Sequence, residues 1–225
     1  MSFFNAISNM YDSWYETSVG SFVDHVETKL AFGLITPQAG MSILDVGCGT
    51  GNFSVKLARE GCQVTGIDIS EGMLTIAREK ARKQNIRIEF EKMDVYQLSF
   101  PANCFDGVIS MAAFEFIKEP KRAFDEMIRV LKPGGHLLIG TIHKDSPWGE
   151  AYLEEAQKPD SIFRFADFKT MDDLLQLDRE TLAGHGECLF IPPGLQEEKY
   201  NMDSEKHFSA IHRGGFIAAL WKKPL

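Results

Sequence analysis

The sequence lacks a basic surplus. Its 24 Lys and Arg stand against 32 Asp and Glu, giving a formal net charge of -8 and a pI near 5.3. A nucleic-acid binder carries a basic face that offsets phosphate charge, so no nucleic-acid partner is expected. Arg78, Lys80, Arg82 and Lys83 do cluster, but at helical spacing beside Glu79, as on a solvated helix face. Cysteines are few and scattered (Cys48, Cys62, Cys104 and Cys188), with no CxxC pair. That argues against a zinc or dithiol centre, and free thiols fit a reducing cytoplasmic setting. His185 and Cys188 would form half a metal site with no second half. No run approaches the roughly 18 apolar residues of a membrane span. The opening MSFFNAISNMYDSWYE lacks the basic start and apolar stretch of a secretory signal. No Pro/Gly/Ser-rich linker, internal repeat or low-complexity tract divides the chain. Its 225 residues, 44% hydrophobic, therefore read as one domain over 1–225 with a real core.

What is present is an alternation of periods. Residues 43–46, Ile-Leu-Asp-Val, form a short apolar run ended by glycines, as a buried strand does. A helix follows over 52–60, with Phe53, Leu57 and Ala58 inward and Gly61 stopping it. Residues 64–67 predict a second strand. Ser70 caps a second helix whose face is Met73, Leu74, Ala77 and Ala81. Ile86, Ile88 and Phe90 alternate as a third strand, and 105–110 read as a fourth. Ala123, Phe124, Met127, Ile128 and Leu131 mark a helix. Lys132-Pro133-Gly134-Gly135 reads as a turn, and 136–142 as a fifth strand. Such alternation is the signature of a parallel sheet with helices on both faces. Two final strands are expected at 187–191 and 215–221.

Two segments stand outside the alternation. Residues 1–40 carry Phe22, Val23, Val26 and Leu30 at helical spacing, ending near Gly33. Residues 145–185 follow strand five, with a helix expected at 171–177. Strand five opens its carboxyl end on the ligand crevice of such a sheet. These segments are expected to form an N-terminal helical lid and a cap.

The turn after strand one reads Asp45-Val46-Gly47-Cys48-Gly49-Thr50-Gly51. Glycines at alternate positions allow a tight turn and close approach of a ligand. A dinucleotide loop places its third glycine at the sixth position. Here that position is Asn52, and glycine falls at the fifth, which suits a ligand without pyrophosphate. Strand two ends at Asp68, where a carboxylate can accept ribose hydroxyls, although Ser70 already accounts for a helix start there. Strand three ends near Met93-Asp94, where a second carboxylate can take an adenine amino group.

At this point the chain resembles the class I S-adenosylmethionine-dependent methyltransferases, specifically their UbiE-like small-molecule group. The matching segments are ILDVGCGTGNFSVKLAREGCQVTGIDISEGMLTIAREK, the acid of EKMDV, FDGVIS and FDEMIRVLKPGG, preceded by FNAISNMYDSWYE. The resemblance implies an α/β, Rossmann-like seven-stranded sheet, mostly parallel, whose last strand runs antiparallel. It implies S-adenosylmethionine as methyl donor and S-adenosylhomocysteine as product. Gly47, Gly49 and Gly51 would wrap the methionine part and ribose, with Asp45 beneath the loop. Asp68 would hold the ribose hydroxyls and Ile69 would pack on adenine. Asp94 and Val95 would meet the adenine edge, Ser110 would lie near the methionine amino group, and Tyr11 would close over the cofactor.

The resemblance also separates related chemistries. Base-modifying members carry a Pro-Pro segment after strand four, where this chain has Ser110-Met111-Ala112-Ala113-Phe114. The magnesium-dependent type needs acids there, so no metal is expected, and the four cysteines do not match the arsenite type. The acceptor is expected to be a small molecule, methylated by in-line displacement. A base, where one is needed, could be Glu115, His143 or His185, each with an ordinary structural role as its alternative. Phe3, Trp14, Phe114, Phe116 and Trp148 could line an acceptor pocket or simply pack. A cofactor-binding protein without catalysis, and an NAD-dependent oxidoreductase, are the competing classes.

Overall fold

The computed structural model describes residues 12–225. Tyr11 and Phe3 lie outside the described residues. Seven strands form one sheet: β1 (Ser42–Val46), β2 (Gln63–Asp68), β3 (Glu89–Lys92), β4 (Phe105–Met111), β5 (Leu131–Ile142), β6 (Leu182–Cys188) and β7 (Phe216–Lys222). Their order is β3-β2-β1-β4-β5-β7-β6. Strands β1 to β5 are mutually parallel, and β7 runs antiparallel to both β5 and β6. The sheet is the expected one, with the last strand reversed.

The helices that pack with the sheet and its loops include α1 (Ser18–Ile35), α2 (Asn52–Arg59), α3 (Glu71–Lys83), α4 (Pro120–Val130), α5 (Pro147–Glu155), α6 (Met171–Leu175) and α7 (Met202–Phe208). Side chains alternate across a strand, so neighbours serve opposite faces. Ile43, Ile109 and Leu138 pack with Ala31 and Ile35 of α1 and Leu57 of α2. Leu44, Val108 and Leu137 pack on the other face, with Phe124 and Met127 of α4 and Leu174 of α6. Both faces are covered, which is why the central strands read as continuous apolar runs. The Ser70 hydroxyl caps α3 by accepting from Met73 N at 3.2 Å.

Several bounds differ from the sequence reading. Helix α1 runs on past Gly33 to Ile35, and the chain turns at Thr36, φ +46. Pairing of β3 with β2 starts only at Glu89, so Ile86 and Ile88 lead into an edge strand rather than forming it. Leu131 opens β5 instead of closing α4. The Lys132–Gly135 stretch is a bulge within that strand, where the pairing jumps from Phe105–Leu131 to Gly107–His136. Residues 145–185 hold α5, a 3-10 turn (Ile162–Phe165) and α6, and their last four residues belong to β6.

The largest difference is β6 itself, expected at 187–191. Its sequence, Leu-Ala-Gly-His-Gly-Glu-Cys, has no apolar alternation, and it becomes a strand by pairing with β7. The apolar residues that follow it leave the sheet at Leu189, φ +67. Their amides go instead to the buried Glu205 carboxylate on α7, which accepts from Leu189 N at 2.6 Å, Phe190 N at 3.0 Å and Ile191 N at 3.3 Å. Removing a charged acceptor from buried amides costs about 2–3 kcal/mol. Glu205→Ala is therefore expected to lose about that much stability in urea unfolding, with Glu205→Gln losing less. Unchanged stability of the Ala variant would show that those amides have other partners.

Candidate active site

Strand order reverses between β1 and β4, and ligands bind at such a switch point outside the carboxyl ends of the strands. A cavity of about 490 Å³ opens there. Its floor is the β1 turn with Gly47 and Gly49, the β2 end with Asp68 and Ile69, and the loop after β3 with Asp94 and Val95. Ala112 and Ala113, just past β4, close one side.

The glycine turn is shaped by close approach. Gly47 has φ +71, and a Cβ there would lie 2.6 Å from the Ala113 Cβ. The amides of Gly47 and Cys48 both donate to Ile67 O, at 2.8 and 3.0 Å. Gly49 N donates to Asp68 Oδ2 at 2.9 Å, while Ser70 N donates to Asp68 Oδ1 at 2.8 Å. Asp68 thus ties the turn to the start of α3, and burial pushes its pKa up. A carboxylate has about four acceptor sites, more than the amides of Gly49, Ser70 and Ile69 use, and Asp68 lines the cavity. Ile69 stays 38% exposed beside it, an apolar surface without cover. Asp94 Oδ1 accepts from Tyr96 N at 2.9 Å, which fixes the loop after β3.

Asp45 lies one layer lower. It is buried, its Oδ2 accepts from Ser54 Oγ at 2.5 Å, and burial pushes its pKa up to about 7. It borders a smaller cavity of about 60 Å³ that shares Tyr15, Glu27, Gly47, Gly49 and Ala112 with the main one.

Six described sequence candidates fall outside both cavities, and of these Phe114 and Trp148 pack in the core instead of lining an acceptor pocket. Gly51 caps α2 with φ +78 and packs against Phe90 and Ala77, where a Cβ would come within 3.0 and 3.1 Å. Ser110 is wholly buried within β4, and its hydroxyl has no partner among the described residues. The chain turns only at Ala112, φ +50, so Ala112 and Ala113 reach the cavity in its place. His143 is buried with Nδ1 3.0 Å from Gly214 O, inside the fold. His185 is exposed on β6, a sheet-edge strand and not the loop expected for it.

Glu115, by contrast, lines the cavity from the 3-10 turn Phe114–Phe116. It is 1% exposed, and Oε2 accepts from Thr141 Oγ1 at 2.8 Å. Burial pushes its pKa up to about 7. A second carboxyl, Glu27 of α1, lines the same cavity and was not singled out by the sequence reading. Burial raises its pKa to about 8, with Asp24 and Glu115 adding and Lys56 opposing. A signal existed: Glu27 sits four residues after Val23 and three before Leu30, on the apolar stripe of its helix.

The roof comes from the two segments outside the alternation. Trp14 and Tyr15 precede α1, while Tyr152, Ile162 and Phe163 follow β5. Asp12 fastens the first of these: it accepts from Thr50 Oγ1 of the glycine turn at 2.7 Å and pairs with Lys80 at 2.8 Å. Among the described residues no three His, Cys, Asp or Glu are grouped to hold a metal.

The raised acids have a consequence for stability. From about pH 4.5 to 8, Glu27, Glu115 and Asp45 keep protons that the unfolded chain releases. Folded protein then binds more protons, so stability falls as pH rises through that window. His136, held below its ordinary value by burial and by Lys222, opposes them. The melting temperature of ligand-free protein is expected to drop from pH 5 to 8, less steeply in Glu115→Gln. A level or rising profile would mean these carboxyls ionise freely.

Residues 44–139 match a family described as a methyltransferase domain. The chain is 36% identical over 144 residues to a demethylmenaquinone methyltransferase of Clavibacter sepedonicus, covering 59% of this chain and 56% of the relative. It is 33% identical over 133 residues to a ubiquinone biosynthesis O-methyltransferase of Coxiella burnetii, with the same coverage. The chain spans a little over half the length of these curated relatives. An S-adenosylmethionine-dependent methyltransferase of Thermotoga maritima, described as a possible histamine N-methyltransferase, shares the fold over 99% of both chains, with a TM-score of 0.76 at 24% identity. The matched stretch contains the glycine turn, Asp45, Asp68, Asp94 and Glu115, and over residues 44–139 the chain is similar to a methyltransferase domain.

Proposed function

We propose that the protein binds S-adenosylmethionine at the β1–β4 switch point and transfers its methyl group to a small-molecule acceptor, releasing S-adenosylhomocysteine. One observation carries this reading: a single cavity runs from the strand ends bearing Asp68 and Asp94 to the roof and Glu115. The cofactor, when bound, supplies an activated methyl on a sulfonium. The residues fit it. The bare Cα of Gly47 leaves room for close approach, Asp68 has acceptor capacity left for a ribose hydroxyl, and Ile69 offers an uncovered apolar face for adenine. Asp94 and Val95 take the adenine edge, and Asp45 supports the turn from below.

The remaining chemistry is alignment, water exclusion and proton removal. The roof of Trp14, Tyr15, Tyr152 and Phe163 excludes water. Glu115 is poised near neutrality to take a proton from the acceptor. Residues 1–40, of which 12–40 are described, and 145–185 act as lid and cap, with Asp12 latching the lid to the turn. A cofactor fills much of a 490 Å³ cavity, which leaves room for a small acceptor and none for a macromolecule's interior. The acidic charge, and the lack of Lys, Arg or His among the described residues lining the cavity, support a substrate other than nucleic acid. No helix among the described residues is long and apolar enough to cross a membrane; we place the protein in the cytoplasm on its free cysteines.

Calorimetry tests the cofactor. S-adenosylmethionine and S-adenosylhomocysteine should bind, with NAD at least about tenfold weaker. Asp68→Ala should weaken S-adenosylhomocysteine by about 1.5–3 kcal/mol through lost charged hydrogen bonds. Equal binding of NAD, or normal binding by the variant, would sink the assignment. S-adenosylhomocysteine release on adding acceptors separates an enzyme from a binding protein.

The latch has its own readout. Asp12→Ala should speed amide exchange at residues 12–15 in the free protein, and cofactor should slow exchange there in the unmodified chain. Exchange insensitive to both changes would remove the lid from this account.

A further inference from the structure

We propose that Glu27 and Glu115 make the acceptor half of the cavity an amine site, selecting a protonated amine on a small apolar or aromatic body and directing methyl transfer to nitrogen. The inference rests on the methyltransferase reading above and names its substrate class.

Three independent observations support it. First, among the described residues, those lining the cavity include no Lys, Arg or His. A carboxylate or phosphate acceptor would face two acids with no countercharge. Second, the Glu27 carboxyl receives no hydrogen bond from a described residue. The cation that acts on it, Lys56, is already engaged by Asp24 and by Thr28 Oγ1, the latter at 2.7 Å. Glu115 receives one side-chain bond, from Thr141. Third, the rest of this half is aromatic or aliphatic: Trp14, Tyr15, Phe116, Tyr152, Ile142 and Phe163.

Two carboxyls lining one cavity without a cation are costly to ionise together, since each disfavours the charge of the other. A neutral hydroxyl acceptor could hydrogen-bond one of them and would leave the other uncompensated. An ammonium compensates both, and aromatic faces attract it further. The element origins suit this division. Glu27 comes from α1 of the lid segment, and Glu115 comes from the turn after the central strand β4, so the acceptor nitrogen is held between the lid helix and the carboxyl end of the sheet.

The proton balance closes with the same groups. An ammonium has no lone pair. Passing one proton to a carboxylate of the pair frees the lone pair, while the second carboxyl keeps the nitrogen in place. The lone pair forms the new N–C bond as the S–C bond breaks, and the S–C electrons stay on sulfur in S-adenosylhomocysteine. The product, R–NH2⁺–CH3, carries the positive charge the substrate had. The proton held by the carboxyl passes to water when the site opens.

The test uses the full chain saturated with S-adenosylhomocysteine and matched probes of one shape: propylamine, phenethylamine and tryptamine, each against its alcohol and its carboxylate. At least one amine should bind about tenfold or more tighter than both its counterparts, the worth of one charged hydrogen bond. Glu27→Gln and Glu115→Gln should each reduce that preference several-fold. S-adenosylhomocysteine binding by the variants reports that they fold. With S-adenosylmethionine, the preferred amine should give an N-methyl product by mass spectrometry. An alcohol or carboxylate that binds as tightly, a series in which no amine binds, or a preference unchanged in both variants would overturn the amine site. The unmodified protein decides the first two outcomes without any variant. Bound S-adenosylhomocysteine with no amine preference removes this inference alone. Failure to bind S-adenosylhomocysteine removes it together with the methyltransferase reading.

Discussion

The chain leaving β1 and the chain leaving β4 must pass within contact distance, and the rest of the site depends on that crossing. A Cβ at Gly47 would stand 2.6 Å from the Ala113 Cβ, so the turn must lack a side chain there. Once it does, its amides reach Ile67 O and Asp68, and the turn is fixed by the neighbouring strand rather than by its own sequence. Asp68 in turn anchors the start of α3 through Ser70 N. The crevice at the switch point is therefore a by-product of parallel pairing, held open by backbone geometry before any ligand arrives. Preorganisation of this kind avoids ordering a flexible loop on binding.

The acids divide according to what satisfies them. Glu205 is buried, yet its carboxylate accepts three backbone amides and closes the loop after β6. Asp45 has a hydroxyl donor, Glu115 has another, and Glu27 has no hydrogen-bond donor among the described residues. Under-satisfied carboxyls are destabilising in an empty fold, which is why their proton affinity rises and stability falls toward alkaline pH. Their retention in one cavity makes sense as a cost offset by a ligand. The same residue type thus serves structure at one place and chemistry at another, and donor supply distinguishes the two.

Legibility in the sequence followed the source of each constraint. The central strands, their helices and the glycine turn were readable because local periodicity and turn chemistry agree with the tertiary fold there. Strand β6 was misplaced because Gly184, His185 and Gly186 carry no strand pattern, and pairing with β7 alone makes them one. Ser110 looked like a strand-end residue, but the turn comes two residues later, at Ala112. His143 and His185 drew attention as bases by residue type. Burial against Gly214 and exposure on the sheet edge are tertiary facts that no spacing reveals. Glu27 was the reverse case: an acid on an apolar helix stripe was visible in the sequence and was passed over because α1 was read as a lid alone.

The two halves of the cavity are built from different kinds of sequence. The cofactor half uses glycines, strand ends and acids at strand ends, all within residues 44–139, where the family match lies. Those features follow from the sheet and place few demands on the acceptor. The acceptor half draws Trp14, Tyr15 and Glu27 from before that stretch, and Tyr152, Ile162 and Phe163 from after it. Only Phe116 and Glu115 of its distinctive side chains fall inside. Likeness to relatives therefore bears on the half of the cavity proposed to hold the methyl donor and is nearly silent on the half proposed for the acceptor. On the proposed reading, substrate choice would rest on side chains before and on α1, on α5, and on the turns after β4 and α5, which can change without disturbing the crossing of β1 and β4. That separation lets one sheet serve many acceptors, and it makes the charge of the acceptor half, rather than the family's motif, the feature from which its substrate is to be read.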